Sequence, residues 1–135
     1  MTQALDQSII ELLHASRDDE ETIQFEVNDR TFGFHAQQAV EKLLKALIGG
    51  HGERYAFTHD IEILVNHAMR LGETIPVRID LILSLSKYAG IWRYQEPDPL
   101  DSGQRHELRL EIDTLRTAIL RRLGNLRPGV DWTAI

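Results

Sequence analysis

One stretch constrains the fold more than any other, the run Phe34-His35-Ala36-Gln37-Gln38-Ala39-Val40-Glu41-Lys42-Leu43-Leu44-Lys45-Ala46-Leu47. Set out at about 100° per residue, Ala36, Ala39, Val40, Leu43, Leu44, Ala46, Leu47 and Ile48 fill an arc of about 200°, far wider than the stripe of a surface helix. Such a helix must be packed on more than one side. On its remaining side His35, Gln38, Lys42 and Lys45 fall within about 80° of one another, a ladder of hydrogen-bond donors. A candidate site is expected there first.

The rest of the chain bounds the setting. Its 135 residues make one domain large enough for a core without staples, and without cysteine it has neither disulfides nor thiolate metal sites, which fits a reducing, cytoplasmic setting. The first residues do not read as a signal peptide, and no stretch approaches the roughly 18 apolar residues of a membrane span. A net charge of −6 argues against non-specific duplex DNA binding but leaves room for a small phosphate ligand held by a few cations. The charge is uneven: Asp18-Asp19-Glu20-Glu21, Glu26 and Asp29 make the first quarter acidic, and Arg105, Arg109, Arg116, Arg121, Arg122 and Arg127 make the last basic. Ends that attract within the fold or a dimer are the plain account; a basic surface for RNA or an acidic partner is the sharper one.

In chain order, Leu5, Ile9, Leu12 and Leu13 mark an amphipathic helix from residue 4 to about 16, which either bends, breaks or continues through the acidic run. Asn28 or Asp29 caps the central helix, and Gly49-Gly50 ends it with a left-handed cap. After a loop over 51–57, Thr58 is placed as N-cap of a helix carrying Ile61, Leu64, Val65, Ala68 and Met69, which stops at Gly72. Thr74 and Pro76 open a shorter helix with Ile75, Ile79, Ile82 and Leu83 inward. The pattern weakens from Tyr88 and is broken by Pro97 and Pro99; a last helix runs from a cap at Asp101 or Ser102 to Gly124. No window alternates at period two, so the chain is an all-α bundle of four or five helices over residues 1–124, with a C-terminal tail, 125–135, anchored by Trp132.

Catalytic and ligand signatures are sparse. The six histidines show no metal-ligand spacing, and neither a nucleophile elbow nor a glycine-rich phosphate loop occurs, so no metal and no cofactor is expected. Phosphate would have to be held by side chains. Each candidate also has a plain structural reading: Lys42 and Lys45 solvated, with Glu41 pairing Lys45 at i, i+4; His59-Asp60 capping a helix; Arg93 stacked on neighbouring aromatics.

The run from Phe34 to Ala46 resembles the signature of the HEPN domain family, and the resemblance continues in Thr58-His59-Asp60-Ile61 and in Tyr88-Ala89 followed by Arg93-Tyr94. It covers residues 32–95 in the right order. The resemblance implies a four-helix up-and-down bundle with an additional short helix, usually a homodimer. It implies nucleotide binding in some members and RNase activity in others, the latter as toxins paired with a nucleotidyltransferase antitoxin. The RNase members carry Arg-x(4–6)-His on the last core helix. Here Arg105 and His106 are adjacent, and the two strings of that spacing, Arg30 to His35 and Arg54 to His59, lie elsewhere and are no more than composition alone gives. The leading expectation is a non-catalytic HEPN-type domain holding a nucleotide or related phosphate. Lys42, Lys45 and Arg93 would hold phosphate, His35 and Gln38 would read hydrogen-bonding groups, Tyr88 or Tyr94 would stack a base, and Asp60 would adjoin the site. The alternatives are an RNase toxin using His59 or His35 as general base, and a dimeric interaction module with no ligand.

Overall fold

The structure, a computed structural model, describes residues 2–89 and 99–135. Among these residues the α-helices number five: α1 (Thr2–Thr22), α2 (Asp29–Gly50), α3 (Ile61–Arg70), α4 (Ile79–Leu83) and α5 (Ser102–Leu126). Short 3₁₀ turns follow α4 at Ser84–Tyr88 and α5 at Trp132–Ala134. Among the described residues no helix is long and apolar enough to cross a membrane.

The wide apolar arc has the expected consequence. α2 packs against α1, α3, α5 and the Ser84–Tyr88 turn at once, and Ala36, Ala39, Val40, Leu43, Leu44, Ala46 and Ile48 are fully buried. Each buried Leu, Ile or Val of this kind contributes roughly 1.5–3 kcal/mol. From Gly33 to the end of α2, only Phe34, His35, Gln38 and Lys42 keep appreciable exposure. The one opening in the most enclosed helix is its polar ladder.

α1 continues through the acidic run, which settles the choice left open by sequence. Its inward acids meet hydrogen-bond donors on two neighbouring helices: Asp19 meets the His35 imidazole and the Lys42 ammonium of α2, and Glu20 meets the Arg116 guanidinium of α5 at 2.7 Å. Asp18 and Glu21 face solvent. Since a buried carboxylate is tolerated only when paired, these partners are what let the helix run on. Asp29 with Arg105 (2.7 Å) and Asp6 with Arg127 extend the pattern, so ion pairs within one chain fasten the acidic first quarter to the basic last quarter.

Several boundaries differ from the sequence expectation. The side chain of Asn28 accepts from Thr31 N, as expected, but Gly49 and Gly50 stay helical. A Cβ on Gly50 would lie 2.5 Å from Leu123 Cδ2, so this glycine serves the close approach of α5, and the left-handed residue is Gly52, at φ +77°. Asp60, not Thr58, caps α3, accepting from Glu62 N, while the Thr58 hydroxyl accepts from Asp60 N. Residues 74–78 do not open a helix; α4 starts at Ile79. Glu73 is tied to Arg122 and His51, and Arg78 N donates to Glu111, so both ends of the segment between them are fastened outside a helix, and helix resumes only at Ile79. Asp101 and Gln104 form a capping box on α5, which passes through Gly124 and ends at Leu126. Trp132 is 1% exposed and its indole donates to Arg127 O at 2.8 Å, so the final residues pack onto the bundle.

Candidate functional site

The polar ladder of α2 lies in a seam between α1 and the loop that leads to α3, and two buried carboxylates organise it. Asp19, 8% exposed, accepts from His35 Nδ1 at 2.7 Å and from Lys42 Nζ at 2.5 Å. Glu41, 5% exposed, accepts from His59 Nδ1 at 2.9 Å and from Lys45 Nζ at 3.0 Å. Each carboxylate thus holds one imidazole and one ammonium. An ionised carboxylate only accepts, so Nδ1 carries the proton in both histidines and Nε2 is left as the free ring nitrogen. His59 is the more open of the two, 60% exposed against 30% for His35.

Gln37 fixes one half of this arrangement. It is fully buried, and its Nε2 donates to Glu41 Oε1 at 3.1 Å and to the carbonyl of His59 at 3.0 Å, while its Oε1 accepts from Gln38 at 2.7 Å. Burial alone would push the Glu41 carboxyl up; the hydrogen bonds from His59, Lys45 and Gln37 outweigh it and hold the group below the usual carboxylate range. Formal charge on Asp19, Glu41, Lys42 and Lys45 cancels. The seam is therefore a pre-positioned set of donors rather than a field of free positive charge.

The structure brings His35, Gln38, Lys42, Lys45 and His59 together. It does not add every residue singled out from sequence. Asp60 spends a carboxylate oxygen on capping α3. Tyr88 is buried against α2, where a Cβ on Gly33 would lie 2.3 Å from its ring, so it offers no open face for a base. Arg93 and Tyr94 lie outside the described residues. An accessible aromatic at the C-terminal end of the ladder is Tyr55, whose ring centroid is 5.3 Å from Lys45 Nζ. Sequence reasoning passed over Asp19, Gln37, Glu41 and Tyr55 as site residues. Only Glu41 carried a local signal, its i, i+4 spacing to Lys45; Asp19 was one of four adjacent acids, and nothing local marks which of them turns inward.

A second buried carboxylate cluster lies apart from the ladder. Glu73 takes a two-pronged contact from Arg122 (2.8 Å) and the Nε2–H of His51 (2.8 Å), and Arg122 holds its carboxyl below the usual range. It joins the end of α2, the end of α3 and α5, a fastening role. Among the described residues no group of three or more His, Asp or Glu side chains could hold a metal ion.

Comparison with known proteins gives one positive result. A search of curated proteins and a search of solved structures each found no match to the chain. The family model described as the HEPN domain matches residues 12–119, from the middle of α1 to near the end of α5. The matched span includes the whole ladder and both of its carboxylates, and the chain belongs to the HEPN domain family.

Proposed function

We propose that this HEPN-type domain binds a nucleotide or related phosphate ligand along the seam of α2, without itself catalysing a reaction. The observation that carries the reading is the paired carboxylate–histidine–lysine arrangement on the one open strip of an otherwise enclosed helix. Each ammonium has three donors, and the carboxylate that anchors it leaves others for a ligand. Because Asp19 and Glu41 already hold Lys42 and Lys45 in place, a phosphate would meet donors whose ordering cost has been met by folding. Gln38 and the Nε2 atoms of His35 and His59 supply further hydrogen-bonding groups on the same strip. Arg93 is a candidate to close the clamp.

Calorimetric titration with ATP, GTP and a short single-stranded RNA tests this, with Lys42→Ala and Arg93→Ala as controls and thermal melts to verify folding. Saturable binding weakened at least about tenfold by Lys42→Ala is the expected result. Affinity unchanged in both variants would overturn the site.

One observation favours a second reading, RNA cleavage: an imidazole oriented by a carboxylate through Nδ1, with Nε2 free, is the arrangement a general base uses. It predicts growth arrest on expression, relieved by a nucleotidyltransferase antitoxin partner and abolished by His59→Ala or His35→Ala. Homodimer formation, part of both readings, is checked by light scattering of the purified chain.

A further inference from the structure

A cleft of about 280 Å³ opens at the C-terminal end of the ladder, and the geometry points to it as the seat of a nucleobase whose phosphates lie on Lys45 and Lys42. This rests on the phosphate reading above and extends it. The wall on one side is apolar, built from Leu5, Ile9 and Leu12 of α1; the other side is the loop carrying Glu53, Arg54 and Tyr55. The floor includes Gly49, one helical turn beyond Lys45, where a Cβ would meet Ile9 Cγ1 at 3.3 Å. The cleft therefore adjoins the end of the polar strip, linked to it by Gly49 in the helix and by Tyr55, whose ring meets Lys45.

Three properties select a flat heteroaromatic ring. The volume of about 280 Å³ lies just below the range of roughly 300–1,000 Å³ typical of pockets for drug-sized ligands, which suits a base with its phosphates outside. Tyr55 presents an exposed ring on which a base can stack, and Lys45 stands 5.3 Å from that same ring, placing a cation at the cleft mouth where a phosphate would emerge. Among the described residues neither the Glu53 nor the Arg54 side chain has a hydrogen-bonding or ionic partner, leaving one acceptor and one donor set at the rim for the base edge.

The test compares ATP and GTP with inorganic triphosphate, which has the charge without the base, and with adenosine and guanosine, which have the base without the charge. Binding is read by calorimetry and by amide shifts of Leu5, Leu12 and Tyr55. Tyr55→Ala, with folding verified by thermal melting, is expected to weaken nucleotide binding about tenfold and to lower triphosphate affinity far less, by no more than the loss of its contact with Lys45. Ser8→Phe, which fills the cleft from α1, should do the same. Nucleotide binding that is indifferent to both substitutions, with no shifts in the cleft, overturns the base seat and leaves the phosphate site standing. Nucleosides that shift the cleft, with nucleotide affinity indifferent to Lys42→Ala and Lys45→Ala, uphold the base seat and overturn the phosphate site. No binding by any of the five probes overturns both.

Discussion

Replacing Glu41 by Gln keeps shape and removes one charge, and the structure sets the size of the effect. Three donors converge on the Glu41 carboxylate: Gln37 at 3.1 Å, His59 at 2.9 Å and Lys45 at 3.0 Å. The amide oxygen of a glutamine still accepts from Gln37, so that contact is nearly neutral. His59 is largely exposed and finds water, so it contributes little. The loss is concentrated on Lys45, whose side chain is 11% exposed and whose ammonium is left without a counter-charge. Breaking a fully buried pair costs roughly 3–5 kcal/mol, but Lys45 can carry its head outward over Tyr55, which lowers the expectation to about 2 kcal/mol. In a chain of this size that is a fall in melting temperature of about 6–10 °C. Urea unfolding of the wild type, Glu41→Gln, Lys45→Met and the double variant measures it, with a coupling energy of at least about 1 kcal/mol expected between the two sites. A Glu41→Gln protein within about 0.5 kcal/mol of wild type, with no coupling, would refute the view that this carboxylate organises the ladder.

Other outcomes follow from the same contacts. The Glu41 carboxyl is held below its unfolded value of about 4.3, so its contribution is complete above that pH and is lost as pH falls through the lower folded value; urea midpoints should drop on acidification, less steeply in Glu41→Gln. Gly33→Ala drives a Cβ to 2.3 Å from the Tyr88 ring and should cost roughly 1–3 kcal/mol by overpacking, measured by thermal melting, whereas Gly124→Ala, with open space around it, should not destabilise. Trp132→Ala should cost about 3–5 kcal/mol, since its buried indole joins the last residues to the bundle; a melt unchanged from wild type would mean that this segment is not part of the core.

What the sequence revealed and what it concealed divide along a physical line. The arc and ladder of α2 were legible because helical periodicity is local: eight apolar positions over thirteen residues leave few alternatives. The caps of α2 and α5 were legible to within one residue (Asn28 or Asp29, Asp101 or Ser102), and the Glu41–Lys45 pair likewise, each lying within four residues of its partner. The rest depends on contacts between distant segments. Gly50 reads as a helix stop until Leu123 is brought against it, and Asp19 reads as one solvated acid among four until Lys42, 23 residues away, turns it into an anchor. Thr74 and Pro76 have good helix-start chemistry, yet Glu73 is fastened to Arg122, 49 residues on, and no helix forms before Ile79. At the site, the donors were found, Glu41 was read only as the partner of Lys45, and Asp19 was missed. That difference changes the chemistry, because a ladder of free cations and a ladder of anchored ones attract phosphate by different means.

The most direct measurement is the set of histidine ring-nitrogen resonances, recorded with and without ATP on the intact chain. His35 and His59 are expected as Nδ1–H tautomers, the opposite of His51, whose Nε2 meets Glu73. On adding ATP, the Nε2 signals of His35 and His59 should move while those of His51 and His106 stay. Nε2–H tautomers at both positions would contradict the carboxylate-anchored ladder, and unmoved signals at saturating ATP would contradict its use as a binding site.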